Sequence, residues 1–330
     1  MTAALLNRLG HGLRASMRMR FDAAAFGLGA SSVGALSAPL TRLLSDESGT
    51  FAWLVDLIAH WQWLYVVAGG VCAAILLRRR PAVLVLLATG LIGIGWSGAT
   101  TRADSATPGS GPALTIATAN LELGQASLDD LAHWIGGLGA DLVVLQEVSK
   151  ESARRIAQWQ DYPHQLVTAD EGPFGLAILS RTPLTGSEAL ESLQQPLRYR
   201  SFISWQGHRI GISAIHPMPP ISPTYHQRRV EMLTEEAQWS QLVSAPSIVA
   251  GDLNSTPWSS ALASVAPAGL LRATGLRPTW PAILPVIPID HILINDAWQV
   301  VESGVGPNIG SDHRPAFAVL SLKAQAIHAE

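Results

Sequence analysis

Cysteine is nearly missing: the 330 residues contain one, Cys72, set inside an apolar run. A single thiol closes no intrachain disulfide and builds no cysteine-rich zinc site, so sulfur says nothing about the compartment. Charge is scarce too, at 14 % of residues against about 25 % in ordinary soluble domains. A basic surplus is lacking where a nucleic-acid binder would carry one. Residues 112–321 hold 12 Lys/Arg against 19 Asp/Glu, a net charge of −7, which disfavours nucleic acid as a partner. Also missing are internal repeats, low-complexity tracts, a His-x-x-x-His zinc spacing and a serine nucleophile elbow.

What is present is unevenly spread. Residues 21–99 are dominated by Ala, Leu, Val, Gly and Trp, and 1–20 carry Arg8, Arg14, Arg18 and Arg20 with no acid. The stretch 23–44, broken by Pro39 and Arg42, fits a membrane span, a membrane-surface helix or the core of a signal peptide. Two further apolar runs flank Arg78-Arg79-Arg80-Pro81, the pattern of a membrane hairpin. A pair of buried helices in a soluble core is the alternative, and three arginines at the corner argue against it. Residues 1–99 are therefore expected to be a membrane anchor with spans near 23–44, 61–77 and 81–99. Trp53, Trp61 and Trp63, with Asp56 and His60, suit the water–lipid boundary. The positive-inside rule keeps the arginine turn cytoplasmic and puts everything after Trp96 outside. Residues 100–111 read as a linker by composition, 112–321 as one folded domain, and 322–330 as a tail.

Within 112–321, short Val/Ile-rich runs at 114–119, 142–145, 176–179, 202–205, 210–215, 247–250, 289–294 and 316–320 predict strands. Helical patterns lie at 127–138, 152–159 and 227–243. The mixture predicts a layered α/β domain with its sheets in the middle. Polar residues recur at the strand boundaries: Asn120, Glu147, His216, Asp252 and Asn254 where strands end, Asp290, Asp312 and His313 where strands begin. A residue leaving one strand and one entering its antiparallel neighbour share a sheet edge, so both kinds can converge on one rim. Hard oxygen donors suit Mg²⁺ or Mn²⁺. With a His–Asp base they make the kit for hydrolysing a phosphoester by direct attack of water.

Thr118-Ala119-Asn120, Leu145-Gln146-Glu147, Ser180-Arg181-Thr182-Pro183-Leu184, Gly251-Asp252-Leu253-Asn254, Pro288-Ile289-Asp290-His291-Ile292-Leu293 and Gly310-Ser311-Asp312-His313-Arg314-Pro315 occur in one order across 112–321. In this they resemble the endonuclease/exonuclease/phosphatase superfamily. His216-Pro217-Met218-Pro219-Pro220, Thr256-Pro257-Trp258-Ser259 and Pro278-Thr279-Trp280-Pro281 are similar to a bacterial subgroup with N-terminal membrane spans. The resemblance implies a four-layer α/β/β/α sandwich of the DNase I-like kind. It also implies roles: Glu147 as main Mg²⁺ (or Mn²⁺) ligand helped by Asn120 and Asp312, and His313 as base oriented by Asp290. Asp252 and Asn254 would hold the nucleophile and phosphoryl oxygens. His216 would touch the phosphate or protonate the leaving oxygen.

Elsewhere the expectations are structural. His291 alternates to the far face of its strand, Arg181 organises a turn, and Trp258 and Trp280 pack. Arg228, Arg229, Glu235 and Glu236 lie on a wet helix face. The leading expectation is a multi-pass protein of the bacterial inner membrane, its catalytic domain outside the cytoplasm, cutting a lipid-linked or other envelope phosphate ester. Its partners would be that substrate and the bilayer, with no protein partner. An extracytoplasmic nuclease and a non-catalytic binding or sensor domain are the alternatives.

Overall fold

The computed structural model describes residues 3–44, 49–77, 81–106 and 112–323. The chain begins with a helical unit: α1 (Ala3–Ala35), α2 (Ser37–Leu43), α3 (Thr50–Ala59), α4 (Gln62–Leu76) and α5 (Ala82–Ser97). Helices α1, α4 and α5 pack through Ala24, Leu28, Ala35, Ala73, Leu76, Val85 and Ile92. Small residues let them approach closely: a Cβ at Gly95 would lie 2.2 Å from the carbonyl oxygen of Ala35. The unit is apolar outside as well. Phe26, Val33, Val67, Val71, Leu84, Leu86 and Leu87 are all exposed.

Among the described residues, Ser16–Leu43 is the one helix long and apolar enough to cross a membrane. The pair α3 and α4, bent by 58°, passes the same test together, whereas α5 is a shorter apolar helix of 16 residues. The turn Arg78-Arg79-Arg80, on which the expected orientation depends, lies outside the described residues.

The second unit follows as β1 (Leu114–Asn120), α6 (Leu128–Leu138), β2 (Leu142–Gln146), α7 (Lys150–Ile156), β3 (His164–Thr168), β4 (Leu176–Ser180), β5 (Thr185–Leu190), β6 (Arg198–Trp205), β7 (His208–Ile215), α8 (Pro223–Leu242), β8 (Ser247–Asp252), α9 (Ser260–Val265), β9 (Leu271–Arg272), β10 (Asp290–Ile294), β11 (Trp298–Val305) and β12 (Ala316–Leu322). Two six-stranded sheets form, in the orders β11-β12-β1-β2-β4-β3 and β5-β6-β7-β8-β10-β9. Ile116, Val144, Ile178, Ile212, Ile248 and Ile292 fill the space between them. Leu131, Ile135 and Ile156 seat α6 and α7 on the first sheet, while Met232, Leu233 and Leu262 seat α8 and α9 on the second. The layers are thus α/β/β/α, as the sequence motifs implied.

The helices begin where serine supplies a cap. Ser127, Ser149, Ser222 and Ser259 each accept a backbone N–H from the first turn of α6, α7, α8 and α9. Pro223 at the first position, with Ser222 before it, starts α8 four residues ahead of the expected 227. Of the segment expected as a linker, 100–106 runs against the domain, with Ala103 N–H donating to Arg272 and Ala106 N–H to Val300. Residues 107–111, and 324–330 of the expected tail, lie outside the described residues.

Candidate active site

Register and chain direction bring the strand ends together. Parallel β1 and β2 carry Asn120 and Glu147 off the same end. Parallel β7 and β8 do the same for His216 and Asp252. Antiparallel β10 sets Asp290 directly beside Asp252. The β12 strand, antiparallel to β1, is entered through Asp312 and His313 at that same rim. Gly251 permits the approach of β8 to β7, since a Cβ there would lie 1.9 Å from the carbonyl oxygen of Ile215.

Asp252 is the hub. Its Oδ1 accepts the backbone N–H of Asn254 at 2.9 Å, and its Oδ2 accepts Nδ2 of Asn120 at 3.2 Å. That same oxygen lies 3.4 Å from Nε2 of His216 and 3.6 Å from Nε2 of His313. The amide of Asn120 also donates to Oε1 of Glu147 at 3.0 Å, tying two carboxylates to one nitrogen. Nδ1 of His313 donates to Oδ2 of Asp290 at 2.9 Å, which leaves Nε2 to face Asp252. Oδ1 of Asp290 is buried without a hydrogen-bond partner. Nδ1 of His216 donates to the carbonyl of Pro173 at 3.0 Å, so Nε2 is the nitrogen turned to the site. Asp312 sits at the rim, Oδ1 3.9 Å from Nε2 of His313, its Oδ2 accepting Nε1 of Trp280 at 3.0 Å.

Two of these residues hold left-handed backbone, Glu147 at φ 55° and Asn254 at φ 48°. Such a conformation costs a non-glycine residue about 1–3 kcal/mol, which the surrounding structure must offset. At Glu147 the side chain meets Asn120 in the cluster, whereas at Asn254 the backbone N–H meets Asp252 and the side-chain Nδ2 donates to the carbonyl of Pro217 at 3.0 Å.

The electrostatics follow from burial and anion crowding. Burial opposes a charged imidazole at His313, but Asp290 and Asp252 outweigh it and push the ring up to about 10. His216 is likewise raised against burial, by Asp252 and Glu147. Burial works against ionised Asp252 as well, yet His313 and His216 hold it below the usual carboxylate range. Burial raises Glu147, in part offset by its bond from Asn120. The carboxylates of Glu147, Asp252 and Asp312 are the donor type a hard divalent cation takes, while Asn120 turns its Nδ2 to two of them and its Oδ1 accepts the N–H of Glu122 at 2.8 Å. A tighter grouping, Asp252, Asp290 and His313, has three donor atoms within 4.8 Å of one another. In it His313 Nδ1 is already committed to Asp290.

The eight expected site residues therefore share one rim, with Asp312 at its exposed edge. Residues not expected there join them. The guanidinium of Arg229 donates to the carbonyl of Asn254 and, through Nη2, to Nδ1 of His226 at 2.9 Å. Arg229 and Glu236, expected on a solvated face, are fully buried instead. Glu236 accepts Arg200 Nη2 at 2.8 Å and Ser213 Oγ at 2.7 Å, because the flank of α8 that carries it lies on the sheet. Asp56 and His60 do not face a lipid boundary either. Oδ1 of Asp56 accepts the N–H and hydroxyl of Ser260, and Nδ1 of His60 lies 3.0 Å from Oγ1 of Thr256. Trp53 Nε1 donates to Pro220 and Trp63 Nε1 to Leu276. The helical unit is docked on the catalytic one. No local motif signals this, because the partners lie up to 217 residues apart in sequence, as with Thr41 Oγ1 donating to the carbonyl of Trp258. Trp258 packs as expected, against Ala38, Ala59 and Trp96. His291 is buried away from the cluster, against Thr274 and Pro288.

A sequence model of the Endonuclease/Exonuclease/phosphatase family matches residues 117–313, a span holding every one of the eight residues. The chain belongs to that family. As a member of it, the chain is a hydrolase acting on ester bonds, in a family whose members typically require a divalent metal. Solved structures share the family fold. An endonuclease/exonuclease/phosphatase from Beutenbergia cavernae is 20 % identical, with a TM-score of 0.53, covering 64 % of this chain and 72 % of that one. Sphingomyelinase C from Streptomyces griseocarneus is 18 % identical with a TM-score of 0.52, over 63 % of this chain and 99 % of its own. A humanized TDP2 from D. rerio is 18 % identical with a TM-score of 0.54, over 63 % and 99 %. No curated protein matches the chain in sequence.

Proposed function

We propose that this protein is a membrane-anchored phosphoesterase, dependent on Mg²⁺ or Mn²⁺, that hydrolyses a lipid-linked or other amphiphilic phosphate ester outside the cytoplasm. The observation that carries the chemistry is the His313–Asp290 pair turned toward Asp252. Nε2 of His313 takes a proton from water as the water oxygen attacks phosphorus, and Asp290 stabilises the imidazolium through Nδ1. Asn254 and Asp252 orient the water and phosphoryl oxygens. The bond to the leaving oxygen breaks, and cationic His216, held beside Asp252, supplies that oxygen with a proton.

Glu147, with Asn120 and Asp312, would hold the cation. Bound there, it supplies charge that polarises the phosphoryl oxygens and draws His313 down toward the range of a working base.

Anchoring is supported by the apolar outer surface of the helical unit and by the candidate span Ser16–Leu43. The extracytoplasmic, multi-pass reading rests on the basic N-terminus and the three arginines of the sequence. The acidic balance of 112–321 speaks against a nuclease. Turnover of a lipid phosphate, a soluble phosphodiester and plasmid DNA by the full chain tests the choice. Nicking of DNA at physiological salt, without lipid-phosphate turnover, would reverse it. A phosphatase reporter fused after residue 110 tests the topology: it is expected to be active, and an inactive fusion would place the domain in the cytoplasm.

A further inference from the structure

A cavity of about 380 Å³ opens directly beside the candidate base, with His313 and Asn254 on its lining. Its walls come from both units: Leu57 and Trp61 from the helical one, Ile221, Trp280 and Ile287 from the catalytic one. Its volume lies within the range of small-molecule sites. Apart from His313 and His60, none of the residues that line it has an ionisable side chain. We propose that this cavity is the subsite for the alkyl chain of a membrane-borne phosphate ester whose phosphate sits at His313. The proposal rests on the phosphoesterase reading and names the part of the substrate that reading leaves open.

Three features point to a chain delivered from a bilayer. First, the cavity exists only while the units are docked. Trp53 Nε1 holds the carbonyl of Pro220 at 2.8 Å, which fixes the 219–221 lip against α3. Arg229 ties Asp56 of α3 to the carbonyl of Asn254 at the inner end. Second, the rim is apolar and uncovered. Ile221 is 72 % exposed, and the turn joining Trp280 to Ile287 carries Ile283 at 90 % and Leu284 at 73 %. On the helical side, Leu54 and Ile58 flank Leu57 and are exposed too. Third, that side of the rim belongs to α3, which runs into the apolar helix α4 and, with it, makes the bent candidate span. His60, the other imidazole on the lining, is already engaged by Asp56 and Thr256, so a headgroup recognised by a second charge would find no free partner here, whereas a hydrocarbon chain would meet apolar side chains from the rim inward.

Two measurements on the full chain in phosphatidylcholine nanodiscs test this. In the first, kcat/KM is compared for p-nitrophenyl decyl phosphate and p-nitrophenyl methyl phosphate. Burying the added methylenes should favour the decyl ester by at least about tenfold. That ratio should collapse in Leu57→Trp, which fills the cavity but leaves partitioning into the bilayer unchanged. A ratio that survives the substitution overturns the proposal. In the second, a decylphosphonate with a diazirine at its terminal carbon is photolysed and the labelled residues are mapped. The expected labels fall at Leu57, Trp61, Ile221 and Ile287. Labels confined to α1, α4 and α5 overturn it. If neither ester is cleaved, the phosphoesterase reading fails, and the photolabel alone decides the subsite.

Discussion

Asp56 of α3 places Oδ2 2.5 Å from Nη2 of Arg229 on α8, and neither side chain is exposed to solvent. The pair joins the helical unit to the catalytic one, and Arg229 also reaches the carbonyl of Asn254. Breaking such a pair by removing one partner strands a buried charge, at a cost of about 3–5 kcal/mol. Asp56→Ala and Arg229→Met should each destabilise the protein by that order, and the double substitution by clearly less than their sum. Denaturation of the three variants checks this. Additive losses would show that the two residues act independently.

Acid should weaken the fold through His291. Its Nε2 donates to the carbonyl of Pro288 and its Nδ1 accepts from Thr274, which fixes a neutral ring. Burial, reinforced by Arg272, lowers it from 6.5 to about 3. The unfolded chain then binds the extra proton first, so stability is full above about pH 6.5 and falls as pH drops toward 3. The slope approaches about 1.4 kcal/mol per pH unit for one such group. His226, lowered to about 4 chiefly by burial, adds to the same limb. Replacing His291 with Asn should flatten the dependence of the denaturation midpoint between pH 4 and 6. A slope equal to that of the parent protein would refute the assignment.

Glu147 is the carboxylate assigned to the cation. Glu147→Gln keeps the shape and the bond to Asn120 but removes the charge, and should raise the Mg²⁺ concentration needed for half-maximal binding by at least about tenfold. Isothermal titration with Mg²⁺ reads this without turnover. Unchanged affinity would move the ion to Asp252, Asp290 and His313.

How much was legible in the sequence depends on where each element sits. All eight strands expected from apolar runs are present, and all eight are interior to a sheet, with a neighbouring strand on each side. The strands without a signal, β3, β5, β9 and β11, are the four sheet edges. Edges meet solvent on one side, so β5 carries no buried residue and no apolar run. The convergence of the eight candidate residues on one rim was legible because strand ends are marked by the switch from apolar to polar residues, and register does the rest. Arg229, Glu236 and Asp56 were not. Charges on a helix read as solvated until the partner is known, and their partners come from distant segments.

The account stands or falls on a cation-dependent hydrolysis that passes through His313. The most direct measurement is release of p-nitrophenol from p-nitrophenyl decyl phosphate by the full chain in nanodiscs, with Mg²⁺ and with EDTA, for the parent protein and His313→Ala. EDTA should abolish turnover and added Mg²⁺ or Mn²⁺ restore it, and His313→Ala should lower kcat by about 10²–10⁴-fold. Turnover unchanged by EDTA, or surviving intact in His313→Ala, would contradict it.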